Sequence, residues 1–561
     1  MPACRSTKGD VSIAPNPLVP MSRTRRTGVT APRVLGFRAS PVAAIVMTAR
    51  AGHEKFAPRP FMILRVTTMS ASIARRCATA CLLASCAATA AHAQITQTEY
   101  AARRDSLAAR LDSGIVIAFG ARTPVTDFGP FYQLASFRYL TGYQEPDAAF
   151  VMVIRGGRQT TTLFTTPVDP HLAFYYGFRP DSSAIARDNG LTARPFTALA
   201  TVMDSLGASG LPVYAIRDVA DDDFTTADSL TRGQQFMKTF AAEHPSVTIT
   251  DAERIVDQLR ARKSPAEIAL LEKAASISAA GHRAIMESPE PKHEYEWQAV
   301  AEYTFKRLGG DRPAYGSIVG AGLNSTQLHY MQDTSAAQPG DLVVIDAATQ
   351  YKGYAADITR TLPVSGVFTP AQRKIYQLVR DAQAAAERAS TPGANAGVAT
   401  DSAFAVRARG LAALGLIDSV NAQLDPPGRA DCGKNPRACS QATIWMIHGI
   451  SHGLGLAVHD PVQFYYNGGM YEPGDAFTIE PGIYISTRTL DALPDTPRNR
   501  AFIARVRPVV MRYQNVGVRI EDDYVMTAKG LERMSSDVPR EISEIEALMK
   551  RRPARVAMQN P

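Results

Sequence analysis

After Ala93 the chain lacks any run of 18 or more apolar residues, the length that a membrane-spanning helix needs. It also lacks an excess of positive charge. Residues 1–93 hold 13 Lys and Arg against only Asp10 and Glu54, so the formal net charge of +8 becomes −3 for residues 94–561. Nucleic-acid binding needs clustered basic charge on the folded protein. We therefore expect no transmembrane span and no nucleic-acid partner.

Cysteine is also scarce, because only Cys432 and Cys439 of the six lie after the first 93 residues. They flank a loop rich in Gly, Asn and Pro, Cys432-Gly-Lys-Asn-Pro-Arg-Ala-Cys439. No second Cys or His pair accompanies them at zinc spacing, which disfavours a structural zinc site. In an oxidising compartment this pair predicts a small disulfide.

The N-terminal region is organised as an export signal. A basic segment, Met69–Arg76, precedes a small apolar segment, Cys77–Ala90, and an Ala-His-Ala cleavage site ends at Ala93. This predicts a signal peptide over Met69–Ala93 and a periplasmic or secreted protein, with residues 1–68 as a non-structural upstream extension. Leu83-Ala-Ser-Cys86 also resembles a lipobox, so lipid anchoring at Cys86 is the alternative.

The rest of the chain alternates strand and helix patterns, which predicts an α/β (α+β) protein. Residues 94–255 form one predicted α/β domain that contains no cluster of His, Asp and Glu. Residues 256–545 form the second, with a tail over 546–561. In the second domain, Ser264-Pro-Ala-Glu267 and Thr369-Pro-Ala-Gln372 each predict a helix start. The layout around them repeats, which predicts two related halves around a shared sheet, with a site where the halves meet.

A predicted hairpin over residues 341–361 carries the first candidate site. If its turn centres on Tyr351 and Lys352, Asp346 and Asp357 face each other across the strands. Like charges directly opposite destabilise a sheet, and burial of unpaired carboxylates is costly. A bound cation would reverse both penalties, so we interpret the two aspartates as metal ligands. The alternative is a register shifted by one residue, with one aspartate in solvent.

A second cluster follows in His448-Gly-Ile-Ser-His452-Gly-Leu-Gly-Leu-Ala-Val-His459. Its glycines disfavour a helix, and no Glu follows the first His as the helical zinc motif requires. Further on, Glu480 and Glu521 each place a carboxylate inside an otherwise apolar predicted strand. A buried glutamate needs a partner, which is either a metal or an arginine.

These segments in this order resemble the M24 metallopeptidases of the pita-bread fold, and within them most closely the Xaa-Pro aminopeptidases. The resemblance covers about residues 97–540 and is strongest in Ile345-Asp346-Ala, Tyr354-Ala-Ala-Asp357, His448-Gly-Ile-Ser-His452, Ile479-Glu480-Pro-Gly and Arg519-Ile-Glu521. It implies an N-terminal creatinase/aminopeptidase-P-type α/β domain followed by a pita-bread catalytic domain with a pseudo-twofold internal repeat.

The resemblance also implies a set of roles. The metal ligands would be Asp346, Asp357, His452, Glu480 and Glu521, and they would hold two divalent ions; Mn²⁺ is expected, with Co²⁺ or Zn²⁺ as alternatives. The catalytic residues would be Glu480 as proton acceptor, with His329, His448, His459 and Arg519. The substrates would be peptides with proline at the second position, and the family pattern favours a dimer or tetramer.

The sequence leaves other interpretations of the ligand pattern open. An Xaa-Pro dipeptidase uses the same five ligands on dipeptides alone. A pita-bread protein without metal, acting as a binding module or as a creatinase-like C–N hydrolase, is a more remote alternative, because all five ligands are retained. The Cys432–Cys439 loop and the long stretch over residues 487–514 depart from the short family pattern and leave specificity open.

Overall fold

The computed structural model describes residues 94–553 except 125–128, 168–169, 172, 221–228 and 429. The predicted extension, the signal peptide Met69–Ala93 and Cys86 lie outside the described residues, as do residues 554–561 of the tail. None of the helices within the described ranges is both long and apolar enough to cross a bilayer. The predicted domain boundary at residue 255 stays a prediction.

The N-terminal α/β part is built on a six-stranded mixed sheet. Its elements run in the order α1 (Gln97–Leu111), β1 (Gly114–Phe119), α2 (Ala135–Thr141), β2 (Ala149–Arg155), β3 (Arg158–Thr165), α3 (Ala173–Tyr176), α4 (Ser182–Asn189), β4 (Thr192–Pro195), α5 (Leu199–Gly207), β5 (Val213–Ala215), α6 (Arg232–Glu243), β6 (Ile249–Asp251) and α7 (Glu253–Arg260). The strand order is β4-β3-β2-β1-β5-β6. The central strand β1 is fully buried, as expected for an apolar strand between two layers of helices.

The second part opens with a helix pair, α8 (Pro265–Glu287) and α9 (Glu294–Arg307), and five strands: β7 (Ile318–Ala321), β8 (Leu342–Asp346), β9 (Gln350–Tyr351), β10 (Tyr354–Ala355) and β11 (Thr359–Pro363). Ser264 caps α8, and Glu267 completes the predicted capping box. These two local interactions explain why the helix starts where the sequence predicts.

The same layout then returns. It comprises α10 (Pro370–Ala389), α11 (Ala396–Ala413), β12 (Ala476–Ile479), β13 (Gly482–Ile485), α12 (Thr487–Asp491), α13 (Pro497–Val510), β14 (Val516–Arg519), β15 (Asp522–Thr527), β16 (Gly530–Arg533) and α14 (Ile542–Met549). Thr369 and Gln372 form the second capping box. The repeated pattern of helix pair and strands is thus present in the fold.

The predicted shared sheet is instead several small sheets. In the described part of this region, β11-β8-β7 and β12-β15-β16 are three-stranded, while β13 pairs with β14 and β9 with β10. The halves meet where the backbone N–H of Glu521 donates to the carbonyl of Thr359, at 3.1 Å. Fully buried Arg360 reinforces this contact, since it donates to the Glu521 carbonyl at 2.6 Å and to Asp522 at 2.6 Å.

Candidate metal centre

One cavity of about 270 Å³ lies at the meeting point of the two halves. All nine predicted site residues line it: His329, Asp346, Asp357, His448, His452, His459, Glu480, Arg519 and Glu521. Leu328, Gly449 and Ser451 complete the lining. The structure therefore brings together residues that the chain separates widely.

The two aspartates reach this cavity in a different register from the predicted one. The turn centres on Lys352 and Gly353, whose φ angles of 48° and 83° suit a two-residue hairpin turn. Asp346 therefore pairs with Thr359, not with Asp357. The predicted register and its one-residue alternative are both wrong. The actual shift moves the pairing by two positions, which keeps both aspartates on one face, and both are buried.

Tyr315 connects the two aspartates and was not predicted. Its hydroxyl lies 2.5 Å from Asp346 Oδ1 and 2.6 Å from Asp357 Oδ1, so one proton serves two carboxylates. Tyr315 lies in the loop before β7, far from any motif. No sequence pattern signals this contact, because it depends on how that loop packs.

His452 supplies the nitrogen of the site. Its Nε2 lies 3.4 Å from Asp357, 3.5 Å from Glu480 and 3.7 Å from Glu521. The segment around it forms no helix, as its glycines predict. The ligand atoms of Asp357, His452 and Glu521 lie within 4.8 Å of one another, close enough to hold one metal ion.

The two glutamates lie between strands rather than inside them, which corrects the prediction. Glu480 follows β12 and precedes Pro481, and Glu521 separates β14 from β15. Proline has no N–H to continue a ladder, so the pairing breaks beside Glu480. The Glu521 side chain accepts a hydrogen bond from Thr359 Oγ1 at 2.7 Å.

A network around Arg519 orders one wall of the cavity. Buried Arg519 donates to Asp346 Oδ2 at 2.5 Å and to the Tyr484 hydroxyl at 2.9 Å. That hydroxyl also lies 2.7 Å from His448 Nε2, and His448 Nδ1 lies 3.4 Å from Glu480. Arg519 therefore fixes the orientation of the Asp346 carboxylate. Tyr484, which joins it to His448, was missed.

The acidic side chains repel one another in this cavity. Burial, Glu521 and Asp346 raise the pKa of Asp357 well above its ordinary value, and burial with Glu521 does the same to the pKa of Glu480. Burial opposes charge on His452 too, yet the adjoining carboxylates of Asp357, Glu521 and Glu480 raise its pKa well above normal. The carboxylates thus need positive charge beside them.

Asp346 and His448 behave differently because Arg519 adjoins both. Burial would raise the pKa of Asp346, but Arg519 and Tyr315 hold it below its ordinary value. Burial, Arg519 and Arg407 lower the pKa of His448 to about 3. His448 is therefore neutral at pH 7 and can accept or donate a hydrogen bond.

This donor set fits a divalent metal. Four carboxylates and one imidazole are hard ligands, suited to oxygen-preferring divalent ions. A cation bound between these carboxylates would replace their mutual repulsion with attraction, so the buried charges themselves favour a bound metal. Asp523 supports the set from behind, because its carboxylate accepts the Asp357 backbone N–H at 3.1 and 3.2 Å. Nothing in the sequence around Asp523 indicates that its side chain binds the Asp357 backbone.

Two other predicted or possible sites lie elsewhere. Cys432 and Cys439 are joined by a disulfide, as predicted. Asp204, Glu243 and His244 form the other metal-sized group of the described residues, but both carboxylates there are exposed. Exposed acidic groups of that kind are ordinary surface features.

Comparisons with known proteins agree with this geometry. The profile of metallopeptidase family M24 matches residues 269–528, and that of the aminopeptidase P N-terminal domain matches residues 100–214. The chain is 32% identical to an Escherichia coli (strain K12) Xaa-Pro aminopeptidase over 81% of its own length and 98% of that protein.

Solved structures give the same result. A zinc-substituted E. coli aminopeptidase P in complex with product superposes with a TM-score of 0.66 at 30% identity, covering 82% of this chain and 99% of that one. Aminopeptidase PepP of Pseudomonas aeruginosa gives a TM-score of 0.67 at 30% identity, with the same two coverages.

Proposed function

Because the chain belongs to metallopeptidase family M24, we propose that it hydrolyses the bond between the first residue of a peptide and a following proline, as a metal-dependent Xaa-Pro aminopeptidase. The observation that carries this is the convergence of all nine site residues on one cavity. The relatives and structural neighbours are named for the same reaction. Proline forms a tertiary amide without an N–H, so its peptide bond calls for a dedicated site.

Asp346, Asp357, His452, Glu480 and Glu521 would hold the metal. Two bound divalent ions would supply an activated water and polarise the scissile carbonyl. Manganese is our proposal for the native ion, because the set is rich in oxygen. Metal analysis of the purified protein, and recovery of activity by Mn²⁺, Co²⁺ or Zn²⁺ after chelation, would identify it.

The protein's own groups divide the proton transfers. Glu480 would accept the proton of the attacking water, since its carboxylate lines the cavity and lies 3.4 Å from His448 Nδ1. His448, held by Tyr484 and next to Glu480, orients that carboxylate. His329 and His459, at the exposed rim of the cavity, hold the substrate carbonyl or return a proton to the leaving nitrogen.

Cleavage of a matched pair of substrates tests the function. An Xaa-Pro-Yaa tripeptide and the corresponding Xaa-Pro dipeptide are incubated with Mn²⁺, and then with a chelator. Metal-dependent release of the first residue from the tripeptide supports the proposal. Cleavage of the dipeptide alone would make the protein a dipeptidase. Failure to cleave either, with metal bound, would overturn the proposal.

We also propose that the protein is exported. The Ala-His-Ala site before Gln94 supports this, and so does the Cys432–Cys439 disulfide, because such bonds persist in oxidising compartments. N-terminal sequencing of the native protein tests it: a first residue at Gln94 is expected. A lipid-modified Cys86 would instead favour an anchored form.

A homo-oligomer is our proposal for the assembly. Four aromatic side chains on α3 and the following turn are largely exposed: Phe174 (85%), Tyr175 (72%), Tyr176 (67%) and Phe178 (83%). Soluble proteins seldom leave so many aromatic residues together in water. Light scattering should give a dimer or tetramer, and replacement of Phe174 and Phe178 by Ser should shift it toward monomer. An unchanged mass in that variant would exclude this surface.

A further inference from the structure

The segment that connects two of the site histidines, His452 and His459, forms a closed loop. The backbone N–H of Asp460 donates to the Gly453 carbonyl at 3.0 Å, so the chain from 453 to 460 returns on itself. His452 precedes this loop, and His459 lies at its end. The two imidazole rings meet edge to face, with centroids 4.4 Å apart.

The Asp460 carboxylate holds the loop from inside. It accepts the backbone N–H of Ala457 at 3.1 Å. A Cβ atom at Gly455 would lie 2.2 Å from Asp460 Oδ2, so the carboxylate fills the space that glycine leaves. The loop is therefore shaped around this one side chain.

Two buried cations also bind Asp460. Arg260 donates to Oδ1 at 2.5 Å, and Lys263 donates to Oδ2 at 2.8 Å. Lys263 also donates to the Pro461 carbonyl at 2.8 Å. The side chains of all three charged residues are 1–2% exposed. These side chains keep their positions, because breaking the contacts would leave the buried Asp460 carboxylate without its cations.

The cations come from the connection between the two parts of the protein. Arg260 ends α7, and Lys263 lies just before α8. Arg260 also donates to Ser136 Oγ on α2 at 2.9 Å, and that hydroxyl donates to Glu253 at 2.5 Å. A continuous buried chain of hydrogen bonds thus runs from the N-terminal part to the residue beside His459.

We propose that Asp460 is a positioning residue for His459, and that the N-terminal part acts on catalysis through the Arg260 and Lys263 contacts. This rests on the proposed function. The Asp460 backbone is held by Gly453 and its side chain by two cations, which fixes the backbone from which the adjoining His459 side chain extends toward the His452 ring. A displacement of about 1 Å in a catalytic group costs on the order of 100-fold in rate.

The test is a double-mutant cycle on kcat for an Xaa-Pro-Yaa tripeptide. The proteins are the parent, Asp460→Asn, His459→Ala and the double variant, each with its bound metal measured. We expect Asp460→Asn to lower kcat by about 10- to 100-fold with metal content unchanged. In the His459→Ala background the same change should alter kcat by less than about twofold, because there is no imidazole left to misplace.

Two further variants keep the result interpretable. Arg260→Lys keeps the charge but loses the forked contact with Asp460 and Ser136, so it serves if Asp460→Asn does not fold. It should lower kcat severalfold, again only when His459 is present. The control is Glu267→Gln, a buried carboxylate that meets Arg103 of α1 at 3.2 Å. Its kcat should match that of the parent.

Four outcomes would overturn the positioning role, the last of them together with the proposed function. A loss that is equally large with and without His459 overturns the positioning role, and so does an Asp460→Asn protein with the parent's kcat. A loss accompanied by missing metal also overturns it, since the defect would then lie at His452. If the parent itself cleaves no Xaa-Pro peptide, the proposed function fails first and this role fails with it.

Discussion

Replacing Asp357 by Asn should make the metal-free protein more stable while removing its response to metal. Asp357 is 6% exposed, and its carboxylate lies beside those of Glu521 and Asp346. Asn keeps the shape and can still accept from Tyr315. The substitution therefore removes a charge and little else.

The size of this stabilisation follows from the distances between the carboxylates and from the pKa of Asp357. Ligand atoms within 4.8 Å of one another, carrying like unit charges, repel by about 3.5 kcal/mol at an effective dielectric constant of about 20. Attraction to His452, 3.4 Å away, offsets part of this. A second limit comes from linkage. An Asp that titrates at 3.8 when unfolded can cost at most about 4 kcal/mol at pH 7. We expect the metal-free variant to gain about 1 to 3 kcal/mol.

Urea unfolding at pH 7, with chelator and with saturating Mn²⁺, measures both effects. The parent should gain about 3 to 4 kcal/mol from metal at 100 to 1,000 times its dissociation constant. The variant should have a higher free energy of unfolding without metal, and metal should raise that free energy much less than in the parent. Because the folded-state pKa of Asp357 is raised, its penalty appears only as pH rises above 3.8, so the metal-free difference should shrink near pH 4. A variant that is less stable without metal, or equally stabilised by it, would refute the reasoning.

Three other predictions concern separate parts of the molecule. Glu480→Gln should lower kcat on the tripeptide by about 10²- to 10⁴-fold, and a loss below tenfold would exclude a proton-transfer role. Burial and Arg360 lower the pKa of His282 from 6.5 to about 4, so the stability it provides above pH 6.5 is lost as pH falls toward 4. The free energy of unfolding measured with urea should therefore be about 2 kcal/mol lower at pH 5 than at pH 7 because of this group. His282→Gln should remove that pH dependence. Thr369→Ala should cost about 1 kcal/mol of unfolding free energy, because it removes the N-cap of α10; an unchanged midpoint would contradict that.

Local chemistry explains what the sequence predicted well. The starts of α8 and α10 depend on a cap and a partner three residues later, so they can be identified without knowing the fold. The absence of a helix around His452 follows from its neighbouring glycines in the same way. The convergence of the nine site residues came instead from the resemblance to a family, because no single motif specifies it.

Tertiary contacts explain what the sequence did not predict. The hairpin register depended on which residues could adopt positive φ, and Lys352 took that role with Gly353. Tyr315 and Tyr484 reach the site through packing of distant segments, and each looks like an ordinary core tyrosine in the sequence. Asp523 acts through a backbone N–H, a contact that leaves no pattern of side chains to recognise.

The ligand set is divided between the two halves of the second part, with Asp346 and Asp357 in one and His452, Glu480 and Glu521 in the other. Neither half alone assembles a complete binding site, so an unfolded chain offers a metal only scattered, weak ligands. Selection of the ion is then postponed until the halves have joined. Divalent ions differ in intrinsic affinity for such ligands, and their supply differs between compartments. The identity of the bound ion should therefore depend on the compartment in which the chain completes its folding.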